Sequence, residues 1–321
     1  VSGPGGLEAL DARDGRNDGV IVGASLGAET ISYLTVGESY SPTMYYLKSI
    51  GLKDSIAFAD LNGDGKDELV LLANGRPIAL AGGAQIAHLQ DLSDLEAPDV
   101  YALDAPSARR LLVGDIDGDD FDDIALSRTY GNISFSTDIL HGAPVAETGV
   151  LASDGTIIAY GAPAANGGGY SGMAIGDLNG DGFDDVGFNI GVADSVIQSN
   201  PYAHGRVALV FGGDKRQAHA PFITPAELDG VNGLRLIGGL GERVGEHLAM
   251  GDVNGDGFDD LLISGASGAY LVFGKADGFQ NDMDMTDMAA SDGVRLLSIA
   301  SARGPENLTI ADINGDGYGD I

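Results

Sequence analysis

The sequence predicts an all-β protein assembled from repeated four-stranded units, and three observations lead there. A nine-residue acidic segment recurs five times, at 60–68, 115–123, 177–185, 252–260 and 312–320. Each copy follows a short apolar run, and the first four also lead into one. These runs are rich in Ile, Val and Leu and bounded by Gly and Asp, a pattern that fits strands better than helices. The first residues of successive copies lie 55, 62, 75 and 60 positions apart, a period that holds several short strands and their turns. Glycine, at 51 of 321 residues, is present at more than twice its usual share of about 7%, as a chain of many turns requires.

Taken in order, the units share one layout. Residues 14–18 align with 64–68 as a worn copy of the acidic segment. It is one residue short upstream and has Arg13 where an oxygen would stand, so it is not expected to bind a cation. Residues 31–36 and 44–47 read as the third and fourth strands of that first unit. In the second unit 55–59 enters the segment and 69–73 leaves it. In the fourth, 172–175 and 186–190 flank the segment, followed by strands at 206–212 and 234–238; the fifth repeats this with 247–250, 261–264, 269–274 and 294–298. Four strands at a period near sixty make a β-propeller blade, with the acidic turn between its first and second strands. The expected blades are 1–52, 53–106, 107–168, 169–242 and 243–302, with 303–321 a partial sixth in one propeller domain spanning 1–321. Two closures fit this count: residues 308–311 complete the first blade and close a five-bladed ring, or the chain is a piece of a larger ring. The second is preferred, because Ile321 is the first residue after an acidic segment, where a strand should begin. The opening VSGPGG has no signal-peptide pattern, and both ends read as cuts in a longer protein.

The five segments read DLNGDGKDE, DIDGDDFDD, DLNGDGFDD, DVNGDGFDD and DINGDGYGD. Oxygen-bearing side chains stand at positions 1, 3, 5 and 9. Such alternation in a tight loop converges oxygens on a hard cation, and calcium takes six to eight of them in flexible geometry. Glycine at position 6, present in four of the five, lets the backbone turn where a side chain would obstruct it. These are not EF-hands, which need a bidentate Glu at position 12 and flanking helices. Position 12 is Leu71, Leu126, Phe188 or Ile263.

Further residues carry a family likeness. Phe211-Gly212 and Phe273-Gly274 close third strands, Gly142-Ala143-Pro144 and Gly161-Ala162-Pro163 continue the same theme, and 229–236 looks like the linker before a blade in large bacterial adhesins. Together with the five in-phase segments, the chain resembles the FG-GAP repeats of integrin α-subunit propellers and of bacterial surface proteins. The resemblance implies about five structural Ca2+ sites. Their side-chain ligands would be Asp60, Asn62, Asp64 and Glu68; Asp115, Asp117, Asp119 and Asp123; Asp177, Asn179, Asp181 and Asp185; Asp252, Asn254, Asp256 and Asp260; and Asp312, Asn314, Asp316 and Asp320. Position 7 would add a backbone carbonyl, from Lys66, Phe121, Phe183, Phe258 and Tyr318. Two departures stand out: Glu68 lengthens one arm, and Asp120 occupies the glycine position, which makes the second site the weakest expected.

Net charge is −31, which argues against nucleic acid and an anionic membrane surface as partners. The five segments hold 21 of the 48 carboxylates, so much of this acidity is metal-site chemistry. With no cysteine there is no disulfide staple, and stability must come from packing, with metal as a further source. The most apolar stretch, 69–89, is interrupted by Asn74-Gly75-Arg76-Pro77 and is not a membrane span. Calcium-filled turns suit a secreted or cell-surface location.

Other residues receive plainer readings. The position-8 acids Asp67, Asp122, Asp184 and Asp259 are expected to point to solvent or cap the turn, and the position-7 aromatics to pack between blades. Ser25 sits in a GxSxG pattern, but no helix follows to make a nucleophile elbow. His88, His141, His204, His219 and His247 have no zinc-like spacing, and His141 and His204 read as turn or surface residues. Asn132 and Asn307 begin glycosylation sequons.

The function expected is recognition: adhesion to an extracellular protein or polysaccharide, with the long insertions 194–205 and 214–229 as candidate contact loops. One alternative is an accessory or catalytic propeller of a secreted polysaccharide-degrading enzyme or phospholipase, for which Tyr40, Tyr45, Tyr46 and Lys48 form the only cluster; strand packing explains them equally well. The other is a passive module of a large adhesin. No catalytic constellation is identified.

Overall fold

The computed structural model describes residues 20–21, 30–34, 44–48, 56–73, 76–80, 100–104, 108, 110–130, 134–143, 150–152, 157–160, 172–190, 205–214, 222–297, 305 and 307–321. Among these residues the protein is all-β, with one short 3-10 turn at Pro225–Glu227 and no α-helix. Strands β1 (Val20–Ile21), β2 (Thr30–Leu34) and β3 (Met44–Lys48) pair antiparallel in a first sheet. The second sheet is an antiparallel meander of β4 (Ile56–Ala59), β5 (Glu68–Ala73), β6 (Arg76–Leu80) and β7 (Val100–Asp104). The third joins β8 (Arg110–Gly114), β9 (Asp123–Tyr130) and β10 (Ser134–Leu140) and then, beyond β11 (Val150–Ala152), β12 (Ile157–Tyr160). The fourth joins β13 (Met173–Gly176), β14 (Asp185–Asn189) and β15 (Arg206–Val210) and then, beyond β16 (Phe222–Ile223), β17 (Gly233–Ile237). The fifth joins β18 (Leu248–Gly251), β19 (Asp260–Gly265) and β20 (Gly268–Val272) and then, beyond β21 (Asp282–Asp284), β22 (Gly293–Leu297).

The three short strands β11, β16 and β21 do not stay in the sheets they interrupt. Each runs parallel to the last strand of the preceding sheet: β11 on β7, β16 on β12 and β21 on β17. The connection between third and fourth strands therefore reaches back and laces each sheet to its predecessor. Arg235 fastens the last of these crossings. Its Nε and Nη2 donate to Asp282 at 2.6 and 2.8 Å, and its Nη1 donates to the Pro225 carbonyl at 2.6 Å. The guanidinium holds the Asp282 carboxyl below the ordinary carboxylate range.

Packing between sheets explains the apolar runs. Side chains alternate across a strand, so a strand between two layers must be apolar on both faces. In β19, Leu261 and Ile263 face a core shared with the fourth sheet through Ala174, Leu209 and Leu236, whereas Leu262 faces a cluster with Leu271, Leu308 and Ile310. Equivalent cores join the second sheet to the third, through Val70, Leu72, Leu111 and Ile124, and the third to the fourth, through Ala125, Ile139, Val186 and Phe188. The first strands β4, β8, β13 and β18 run beside one another in that order. Residues 308–311, expected as a strand, form only the isolated bridge between Ala311 and Asp320, and Leu308 and Ile310 pack on the fifth sheet. No helix among the described residues is long and apolar enough to cross a membrane. Ser25, Tyr40, His88, Asn132, Gly161-Ala162-Pro163, His204, His219 and residues 194–204 and 215–221 lie outside the described residues.

Candidate metal centres

The first four acidic segments begin where the first strand of their unit ends, the fifth follows the bridging Ala311, and all five share one hydrogen-bonding plan. The position-1 carboxylate accepts from the backbone amides inside its own turn. In the third turn Asp177 Oδ1 takes the N–H of Gly180 at 2.7 Å and of Asp181 at 3.1 Å, and Oδ2 takes that of Gly182 at 2.9 Å. Asp115, Asp252 and Asp312 repeat this set in full, and Asp60 binds the amides at positions 5 and 6 in the same way. One rung further, Asn62, Asn179, Asn254 and Asn314 accept from the position-5 amide through Oδ1 at 2.8–2.9 Å. Position 5 in turn accepts from the position-7 amide, as Asp64 does from Lys66, Asp119 from Phe121, Asp181 from Phe183, Asp256 from Phe258 and Asp316 from Tyr318. The oxygens at 1, 3 and 5 are thereby gathered round one turn, each with lone pairs to spare.

The position-9 carboxylate is the buried member. Glu68, Asp123, Asp185 and Asp260 have no exposed surface. One oxygen accepts from the position-2 amide, at 2.9–3.1 Å from Leu61, Ile116, Leu178 and Val253. In the last three the other oxygen accepts from the glycine that closes the third strand, Gly142, Gly212 or Gly274. Glu68, with its longer arm, instead meets the Asn62 side-chain amide at 2.9 Å. Burial pushes Asp185 up to about 8 and Asp260 to about 6, and the like charges at positions 1 and 5 push the same way. These carboxylates are short of positive charge, and a hard cation among the turn oxygens would supply it. The donor set and the charge deficit thus fit calcium.

Successive turns are also bonded to one another. The position-7 aromatic of one turn lies on the position-4 glycine of the turn before: Phe121 on Gly63, Phe183 on Gly118, Phe258 on Gly180 and Tyr318 on Gly255. Their expected packing role is seen here, although Tyr318 remains half exposed. The position-8 acids Asp122, Asp184 and Asp259 neither face solvent nor cap their own turn; they clamp the preceding one. Asp122 Oδ2 accepts from the Asp60 amide at 2.7 Å while the Asp122 amide donates to the Asp60 carbonyl at 3.1 Å. Asp184 and Asp115 form the same pair, as do Asp259 and Asp177. In the last turn, where Gly319 replaces the acid, only the backbone bond to Asp252 persists.

The second turn departs from the others. Asp120 adopts φ 69°, the left-handed conformation that glycine takes at this position elsewhere. Asp117 replaces asparagine and is buried. His141 stands where Phe211 and Phe273 stand in the next two units, immediately before the closing glycine. Its Nδ1 lies 2.8 Å from Asp117 Oδ2 and 3.2 Å from Asp123 Oδ1, with only 10% of the side chain exposed. The surface role read for His141 from the sequence is therefore corrected: the residue directly follows β10, and its direction toward the acidic turn has no sequence signal.

Residues 244–280, which span β18, the fourth acidic turn, β19 and β20, match the FG-GAP repeat family. No curated protein matches the chain. Among solved structures, a lectin of Agrocybe aegerita that specifically recognises non-reducing terminal N-acetylglucosamine aligns over 91% of this chain and 81% of its own, at 14% identity and a TM-score of 0.34.

Proposed function

We propose that the chain is a calcium-stabilised β-propeller of FG-GAP type, working outside the cell as a recognition module for a protein or polysaccharide. The observation that carries this reading is the oxygen turn whose position-1 and position-5 carboxylates accept the same backbone amides five times over, in phase with the sheets and bonded from turn to turn. The FG-GAP match at 244–280 and the side-by-side first strands support the propeller. In each turn the holders would be the side chains at positions 1, 3, 5 and 9 with the carbonyl at 7. The bound ion would supply the charge that the buried position-9 carboxylates lack. At calcium about 100-fold above Kd, each filled turn adds about 2.7 kcal/mol to folding, so a few turns match the stability of an ordinary domain. The ions act as staples, and ligand recognition falls to the rest of the surface.

The test is a screen of the chain against arrays of glycans and extracellular matrix proteins, run in calcium and in chelator, with thermal unfolding in both buffers. Saturable binding seen only in calcium, alongside a raised unfolding temperature, supports the reading. Stabilisation without any bound ligand would leave a passive spacer. Turnover of a polysaccharide or phospholipid would make the module enzymatic.

A further inference from the structure

The second acidic turn carries two overlapping sets of metal-ligating atoms that share Asp117. Asp115, Asp117 and Asp119 bring carboxylate oxygens within 4.8 Å of one another, as the all-oxygen reading requires. Asp117, Asp123 and His141 do the same, and this second set contains a nitrogen. We propose that the second turn is a mixed nitrogen–oxygen site, in which His141 Nδ1 joins Asp117 and Asp123 to select a zinc-class transition ion over calcium. This deepens the cation reading of the turns.

Three features of the chain converge on that chemistry. His141 replaces the phenyl ring of Phe211 and Phe273, so an apolar plug beside the turn becomes a donor. Asp117 replaces the neutral asparagine of the other four turns, adding a charge where the histidine points. Asp123 is fixed from behind, its two oxygens accepting from the Gly142 amide at 2.8 Å and the Ile116 amide at 2.9 Å, which orients the carboxylate as outer-shell hydrogen bonds do around metal ligands. The Nδ1 to oxygen distances of 2.8 and 3.2 Å are close to the separation of about 3.3 Å between two ligands of a tetrahedral ion bound at about 2.0 Å. Side-chain shifts of a few tenths of an ångström would admit it. Imidazole with carboxylates suits zinc and its neighbours, whereas oxygen alone suits calcium.

The test uses the whole chain in saturating calcium, titrated with Co2+ as an optical probe of a zinc site and then with Zn2+, while calcium stoichiometry is measured in the same samples. The expected result is one tight equivalent, visible as a nitrogen-ligated cobalt band, displaced by Zn2+ and not by excess calcium. His141→Phe, which restores the residue of the next two units, should weaken it at least tenfold while the other turns keep their calcium. Asp117→Asn serves as the second variant should the first fail to fold, with the same loss expected. Nitrogen chemical shifts of His141 in the unaltered protein should move on Zn2+ addition and identify Nδ1 as the ligand. Cobalt and zinc uptake identical in both variants, or freely displaced by calcium, would overturn the proposal while leaving the calcium turns standing. Zinc uptake at His141 without calcium uptake elsewhere would instead overturn the proposed function alone.

Discussion

Phe258, the seventh residue of the fourth turn, lays its ring on Gly180, the fourth residue of the third, and leaves no space there for a Cβ. Gly180 also sits at φ 71°, where a side chain is strained. Gly180→Ala therefore meets two costs, backbone strain and overpacking, together roughly 2–4 kcal/mol. The denaturation midpoint in calcium should fall accordingly, and an unchanged midpoint would mean that the two turns do not touch.

Two acids of the fourth turn, three positions apart, should separate into two roles. Asp256, in the oxygen ladder, is a proposed ligand, whereas Asp259 reaches back to the Asp177 amide at 3.1 Å. Asp256→Ala should remove one calcium from the stoichiometry. Asp259→Ala should keep every calcium and lose about 1.5–3 kcal/mol, the range for a hydrogen bond to a charged group. Calorimetric stoichiometry beside chemical denaturation distinguishes them; loss of an ion from Asp259→Ala would make that acid a ligand.

Asp120→Gly should stabilise the chain. Asp120 holds a left-handed backbone at φ 69°, and its amide donates to Asp115 at a long 3.2 Å. Relief of the strain is worth about 1 kcal/mol, readable as a rise in unfolding temperature. A fall would show that the Asp120 side chain contributes contacts of its own.

Stability without metal should decline as pH rises. Asp185, ordinarily near 3.8, is pushed to about 8, and Asp260 to about 6, chiefly by burial. Between those values and the ordinary one, the folded chain holds protons that the unfolded chain has released, so unfolding becomes easier with increasing pH. Each unit of separation is worth about 1.4 kcal/mol. In chelator the unfolding temperature should be higher at pH 5 than at pH 8, and Asp185→Asn should flatten part of that slope. Calcium, which competes with these protons, should reverse it. A chelated chain more stable at pH 8 would contradict the burial of these carboxylates.

The strands beside the turns are legible in the sequence because burial between two sheets forces continuous apolar runs, as at Leu261, Leu262 and Ile263 of β19, and because a recurring pattern of Asp and Gly bounds each run. The lacing strands β11, β16 and β21 are not legible. They hold two or three residues each, too few for any periodicity to register, and β21 reads Asp-Met-Asp, with no β-branched residue. Their pairing comes from a neighbouring sheet and from Arg235 reaching Asp282, contacts 47 residues apart in sequence. The oxygen ladder can be read from spacing alone, since positions 1, 3 and 5 act within one turn. The clamps of Asp122, Asp184 and Asp259 cannot, because their partners lie 62, 69 and 82 residues away in another unit. His141 is hidden for the same reason: its distance to Asp117 is set by the register of β9 on β10, not by any local motif.

The most direct test of the account is a calcium titration of the whole chain by calorimetry, paired with thermal unfolding in calcium and in chelator. The five acidic turns predict uptake of at least four ions per chain and a large rise in unfolding temperature when they are filled. No uptake, or uptake that leaves the unfolding temperature unchanged, would contradict the claim that these turns are metal staples of the fold.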